Sequence, residues 1–269
     1  MNSPDRRHCA LDLEVEVPGT PEQVWEAIAT GPGISAWLHP TRVEEHEGGA
    51  FSFDMGSGFS EPGTVTGWDP PHRFVTETSW RAGGDAGALA TEWIVRARDG
   101  GTCAVRMVMS GFGEGETWDD ELDGLAEGMR TALESLRLYL THFAGWHGAS
   151  LRAFGRASGT QQQAWRELLT TLGLDGVSSG EPADTNGPGV PRLAGVVEQV
   201  RPGVHRSDLL LRIDEPAPGL ASIATYGASP WTEVHLSLFG DDTTGTATRE
   251  ESAWRAWMSE HFPTTAPGV

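Results

Sequence analysis

The chain has 269 residues, above the commonest domain size, so two domains are expected, with one large domain as the alternative, and its 38% hydrophobic content with 11 Trp points to a folded core. Its formal net charge is -19, with 10 Arg against 24 Asp and Glu up to residue 146 and 9 against 14 beyond, so neither half offers the basic face that nucleic acid or an anionic membrane demands. Cys9 and Cys103 are too few for a disulfide framework, no window nears the roughly 18 apolar residues of a membrane span, and Met1 to Arg7 is polar, so a soluble cytoplasmic protein is expected.

Leu11, Leu13, Val15 and Val17 alternate with Asp12, Glu14 and Glu16, the period of a half-buried strand. Thr20, Pro21 and Gln23 then mark a helix start, Val24, Trp25 and Ile28 give that helix a buried side, and Gly31-Pro32-Gly33 is expected to end it. A short turn through Ile34, Ala36 and Trp37 leads to His39-Pro40. After Gly48-Gly49, alternating segments follow at Phe51 to Met55, at 63 to 69, at 73 to 81, at 89 to 98 and at Cys103 to Met109, with Gly100-Gly101 as a hairpin signal.

Residues 117 to 143 keep helical time. Trp118, Leu122, Leu125, Met129, Leu133, Leu136, Leu140 and Phe143 recur every three or four residues and form one stripe. Thr117 with Asp120 reads as a capping box, and Asp119, Asp120, Glu121 and Asp123 suit the positive end of the helix dipole.

The order is strand, two short helices, about six antiparallel strands and a long helix. On the run Val15 to Val17, Thr20 through Ile28, Trp37, Gly48-Gly49-Ala50-Phe51, Gly63-Thr64-Val65, Asp69-Pro70-Pro71-His72-Arg73-Phe74, Gly101-Thr102 and Ser110-Gly111-Phe112, residues 10 to about 145 resemble the START-like (SRPBCC) superfamily, in the branch related to the activator of a heat-shock chaperone ATPase. The resemblance implies an α+β helix-grip fold, a curved antiparallel sheet wrapped around a long C-terminal helix, with a cavity between them. It implies three kinds of work: binding lipids, quinones or polyketides, cyclising or aromatising them, and assisting chaperones.

The second half echoes the first. Thr160, Gln163, Trp165 and Leu168 repeat Thr20, Gln23, Trp25 and Ile28 at an offset of 140, and Gly195, Val197 and Pro202 are spaced as Gly63, Val65 and Pro70. We therefore expect a START-like domain at 8-145, a linker at 146-159 and a diverged, truncated copy at 160-263. That copy is expected to lack two strands around Gly176 to Pro191, and its last helix to be capped by Thr248 with Glu251. Its Leu, Ile and Val should pack solid and serve as a scaffold or a homodimer surface.

The expected cavity wall comprises Phe53, Met55, Phe74, Thr76, Thr78, Trp80, Trp93, Met107 and Met109 from the strands, with Trp118, Leu122, Met129 and Leu133 from the helix, while Trp37, Phe59 and Phe112 would rim the mouth. Flat aromatics, adaptable Met and uncharged Thr suit a preformed apolar site with a few polar groups. Glu77, Glu92 and Asp54 fall on the opposite face, because an unpaired carboxylate turned inward is costly. His39 is the candidate proton carrier, since histidine exchanges protons near neutral pH and the residue follows the second short helix. No histidine or cysteine spacing suggests a metal, and no phosphate loop or nucleophile elbow occurs, so no cofactor is expected. The leading expectation is a binder of a small hydrophobic, ring-bearing molecule. The alternatives are a cyclase, aromatase or dehydratase in the same cavity, and a chaperone- or client-interacting module.

Overall fold

The computed structural model describes residues 7–54, 60–82, 85–113 and 118–264, with backbone alone for residues 7–10, 80–82, 85–87, 112–113 and 118–122. The chain divides into two units, Met1–Ala144 and Gly145–Val269.

In the first unit, the alternating N-terminal segment forms β1 (Arg7–Pro18), with Asp12, Glu14 and Glu16 exposed between more buried apolar neighbours. Thr20 and Gln23 close a reciprocal capping box that starts α1 (Pro21–Ala29). As expected, α1 ends before Gly31-Pro32-Gly33, and those residues themselves open the second short helix, α2 (Gly31–Trp37). Thr30 accepts from the Gly33 N–H at 3.1 Å, and Pro32 sits in the first turn, where its missing N–H is no loss. Gly33 is required by packing: a Cβ there would lie 1.9 Å from the Glu26 carbonyl oxygen, so α2 begins pressed against α1.

Six further strands follow: β2 (Thr41–Val43), β3 (Ala50–Asp54), β4 (Ser60–Asp69), β5 (Arg73–Ala82), β6 (Asp85–Arg98) and β7 (Thr102–Gly113). They form one antiparallel sheet in the order β1-β7-β6-β5-β4-β3-β2. Register puts Thr76 opposite Thr91 and Thr91 opposite Met109, and in the next inward row Phe74 opposite Trp93 and Trp93 opposite Met107. Since alternate residues share a face, these rows line one side of the sheet.

The other side carries the acidic residues, as expected: Glu77 and Asp54 are exposed, and Glu92 pairs with Arg73, Asp12 with Arg106 and Glu14 with Arg98. Such exposed pairs add little stability, so the sheet is held by the apolar face. That face is covered by α3 (Trp118–His142). Leu133, Leu136, Leu140 and, just beyond the helix, Phe143 are buried, each fully buried Leu being worth roughly 1.5–3 kcal/mol, whereas Leu125 and Met129 nearer the start are only partly so. The expected cap Thr117 lies outside the described residues.

The second unit comprises β8 (Gly148–Arg156), α4 (Gln161–Leu172), β9 (Pro182–Asp184), β10 (Ala194–Arg201), β11 (Arg206–Glu215), β12 (Gly219–Tyr226), β13 (Trp231–Phe239) and α5 (Thr243–His261). Its sheet order, β8-β13-β12-β11-β10-β9, is that of the first unit with the β2 edge removed. The likeness reaches local geometry. Thr160 and Gln163 form the same capping box as Thr20 and Gln23, after glycines that both have positive φ, Gly19 and Gly159. The register shift between Val65 and Gly67 in β4 recurs between Val197 and Gln199 in β10.

Three expectations for this half need correction. Residues 148–156, read as linker, are strand β8, paired with β13 along its whole length. Their alternation is faint because small residues face the core: a Cβ on Gly155 would lie 2.4 Å from the Cβ of Phe262, which packs directly over it. The copy lacks one strand and the second short helix rather than two strands, because β9 lies inside the stretch read as irregular. Finally, α5 starts at Thr243 with Asp242 before it, and Thr248 is interior, its hydroxyl donating to the Thr244 carbonyl at 2.9 Å instead of capping.

The core of this unit is filled. Leu209, Leu211, Ile223, Val234 and Leu236 from the strands meet Trp254, Trp257 and Met258 from α5, nearly all inaccessible to solvent.

Candidate ligand-binding site

In the first unit the space under α3 is not filled. A cavity of about 110 Å³ remains between the inner face of the sheet, the two short helices and the first turns of α3. Trp37 of α2 and Trp93 of β6 meet across one wall, and α3 lines the space with the half-buried Leu125 and Met129.

The wall can be built element by element. From α1 and α2 come Ile28, Ile34 and Trp37, followed by Leu38 and His39. The Trp37 indole N–H donates to the Ala27 carbonyl at 2.9 Å, which ties α2 to α1 and uses up the polar edge of the ring. Trp37 is only 3% exposed, so it is part of the wall and not a rim residue. Its ring meets Trp93 of β6 edge to face. On β3, Phe51 and Phe53 are likewise perpendicular, with centroids 4.6 Å apart, and His39 stands against Phe53 at 5.8 Å. Phe74, Thr76 and Thr78 of β5, Leu89, Thr91 and Trp93 of β6 and Met109 of β7 complete the floor.

Of the residues expected to form the site, the structure brings together Trp37, His39, Phe53, Phe74, Thr76, Thr78, Trp93, Met109 and Met129. Met107 and Leu133 are buried but lie beside the cavity, in the packed core. Met55 and Phe59, and the side chains of Trp80, Phe112, Trp118 and Leu122, lie outside the described residues.

The wall residues that sequence reasoning missed include Phe51, Leu89, Thr91 and Leu125, and the consequential one is Glu61. Glu61 sits on β4 opposite Phe53 of β3, and its carboxyl is hydrogen-bonded to Thr78. Burial pushes this carboxyl above the ordinary carboxylate range, and the Thr78 bond only partly opposes the shift. Two signals could have found it: the shared inward face of Glu61, Gly63 and Val65, and the pairing with a residue already assigned to the wall. Both fail if the strand is started at residue 63, as the sequence pattern suggested.

Among the described residues no group of three or more His, Cys, Asp or Glu is placed to hold a metal ion, and no helix is long and apolar enough to cross a membrane. The polar side chains among the described wall residues are thus one carboxyl, one imidazole and a strip of threonine hydroxyls, set among apolar and aromatic groups. Such a space can shelter a ring, hold it by a few hydrogen bonds and exchange a proton with it.

Residues 18–141 match the family described as activator of Hsp90 ATPase homolog 1-like protein. No curated protein matches the chain. Among solved structures, the di-domain ARO/CYC BexL from the BE-7585A biosynthetic pathway aligns over 96% of this chain and all of its own, with 11% identity and a TM-score of 0.45. DynU16, from the dynemicin biosynthetic locus, aligns over 93% of this chain and 95% of its own, with 14% identity and a TM-score of 0.44. The Aha1 dimer from Colwellia psychrerythraea aligns over 51% of this chain and 99% of its own, with 14% identity and a TM-score of 0.42. Over residues 18–141 the first unit is similar to the AHSA1-like branch of the START-like superfamily, and the second unit is a shortened copy of the first unit's plan.

Proposed function

We propose that the first unit binds a small hydrophobic, ring-bearing molecule in the cavity beneath α3. The observation that carries this reading is an aromatic-walled space of about 110 Å³ left open where the second unit, built on the same plan, is packed. An apolar cavity of roughly 150 Å³ accepts benzene, so the space here, somewhat smaller, takes at most a single ring. Preformed walls reduce the ordering cost of binding. The test is a titration of the full chain with single-ring and fused-ring probes while following tryptophan fluorescence, since Trp37 and Trp93 line the space. Saturable quenching that is lost in Trp93→Ala supports the reading; binding that is unchanged by that substitution removes the site from this cavity.

A second reading, an enzyme of the cyclase or dehydratase kind, is favoured by the presence of two titratable groups, His39 and Glu61, on the same apolar wall. Turnover of a polyketide-like substrate that persists in both His39→Ala and Glu61→Gln would eliminate them as proton carriers.

A further inference from the structure

We infer that the guest of this cavity carries a basic amine on an apolar ring, with Glu61 as its counter-ion. The inference rests on the reading of the cavity as a binding site and adds the chemical class of what it holds.

Three independent features point this way. Glu61 is the one carboxyl among the described wall residues, and its hydrogen bond runs to the Thr78 hydroxyl, a neutral partner that cannot neutralise a charge. No arginine is among the described residues lining the cavity and the chain contains no lysine, so the protein provides this carboxyl with no fixed cation there. A buried carboxyl without a counter-charge is held back from ionising, which is the direction of its shift; an ammonium nitrogen on the guest would supply the missing charge and favour the carboxylate.

The second feature is the surrounding rings. Trp37, Phe51, Phe53, Phe74 and Trp93 enclose the space, and the negative faces of aromatic rings attract cations, most strongly when water is excluded. The Trp37 N–H is already committed to Ala27, so that ring offers its π-system and not its donor. The third is the field of the whole molecule. A net charge of -19 concentrates cations near the surface and repels anions. A carboxylate-bearing guest would meet like charge on approach and, at Glu61, a carboxyl that can offer it no counter-charge. His39, from the turn after α2, is the only other titratable group among the described lining residues; β3, β5, β6, β7 and α3 contribute none. A protonated His39 would oppose a cation, so the pairing is strongest when the imidazole is neutral.

The test uses the full chain and three probes of one shape: benzylamine, benzyl alcohol and benzoate, each titrated by calorimetry at neutral pH into wild type and Glu61→Gln. The inference predicts that benzylamine binds wild type at least about tenfold more tightly than benzyl alcohol, that benzoate is the weakest, and that the amine-to-alcohol ratio falls to about one in Glu61→Gln. Equal affinities for amine and alcohol in wild type, or a ratio retained in the variant, overturn the inference while leaving the cavity a binding site. If none of the three saturates, the binding reading falls with it. Should Glu61→Gln fail to fold, the wild-type ratio alone decides.

Discussion

The indole rings of Trp37 and Trp93 meet edge to face, with centroids 6.0 Å apart and planes at 82°, and so brace α2 against β6 across one wall of the cavity. The second unit has no counterpart of α2, and its interior is closed by Trp254, Trp257 and Met258 instead. The unit that has α2 keeps a cavity lined by this helix, and the unit without it packs Trp254, Trp257 and Met258 against its sheet. Trp37→Phe should cost about 1–2 kcal/mol, through the lost bond to Ala27 and the weakened ring contact, and Trp93→Ala about 3–5 kcal/mol. Urea unfolding of the full chain, followed on the transition of the first unit, measures both.

Gly33 sets how closely α2 can approach α1. With a Cβ 1.9 Å from the Glu26 carbonyl oxygen, Gly33→Ala must move backbone, and we expect a loss of about 2 kcal/mol or more together with weaker probe binding, because α2 carries Ile34 and Trp37. Gly48→Ala is the contrast: no atom lies within 4 Å of its Cβ position, so strain at its φ of 85° is the whole cost, and the cavity should keep its affinity. Paired unfolding and binding curves separate the two.

Filling the cavity should exchange function for stability. Thr91 is half-buried on the floor and opposite Thr76, and Thr91→Leu places a larger apolar side chain in the space. At roughly 24 cal/mol per Å³, filling about 40 Å³ is worth about 1 kcal/mol. The variant is expected to melt a few degrees higher and to lose saturable probe binding, which calorimetry and fluorescence titration read independently.

Glu61 gives stability a pH dependence of known sign. Its folded-state value is raised by burial, so between the unfolded value and the higher folded one the native state holds more protons than the unfolded state. Stability is therefore fully present below the unfolded value, falls as pH rises through that window, and is level above it. Glu61→Gln lacks this decline, so the variant should gain on wild type as pH is raised from about 4 towards 7, as measured by urea unfolding at a series of pH values. Parallel curves for the two proteins would contradict the burial of this carboxyl.

Cys103 has no solvent exposure, its thiol faces the Gly19 carbonyl at 3.4 Å, and burial, with a smaller effect of Glu22, pushes its ionisation upward. In a Cys9→Ser background, native protein should resist a thiol reagent such as dithionitrobenzoate for hours and react within minutes in denaturant.

The parts of this molecule that could be read from sequence are those where one physical rule acts alone. The stripe from Leu125 to Phe143 is pure helical period, and the boxes at Thr20 and Thr160 are local chemistry, so both appear as expected. The second strand set was harder because its core-facing residues are shaped by what packs on them. Gly155 is small to admit Phe262, Ala153 beside it is buried, and small residues are silent in a hydrophobic pattern. Glu61 was missed for a related reason: Pro62 and Gly63 weaken the strand signal just where the pairing with Phe53 turns the carboxyl inward. Thr91 and Leu89 were on the expected inward face, yet only the coordinates separate a lining residue from its packed neighbours Met107 and Leu133.

The central claim is that the space under α3 admits a ring. Crystals of the full chain soaked in iodobenzene, measured at a wavelength where iodine scatters anomalously, test it most directly. We expect an iodine peak enclosed by Trp37, Trp93 and Met129; Met129 packed against both indole rings, with no peak between them, would contradict the claim.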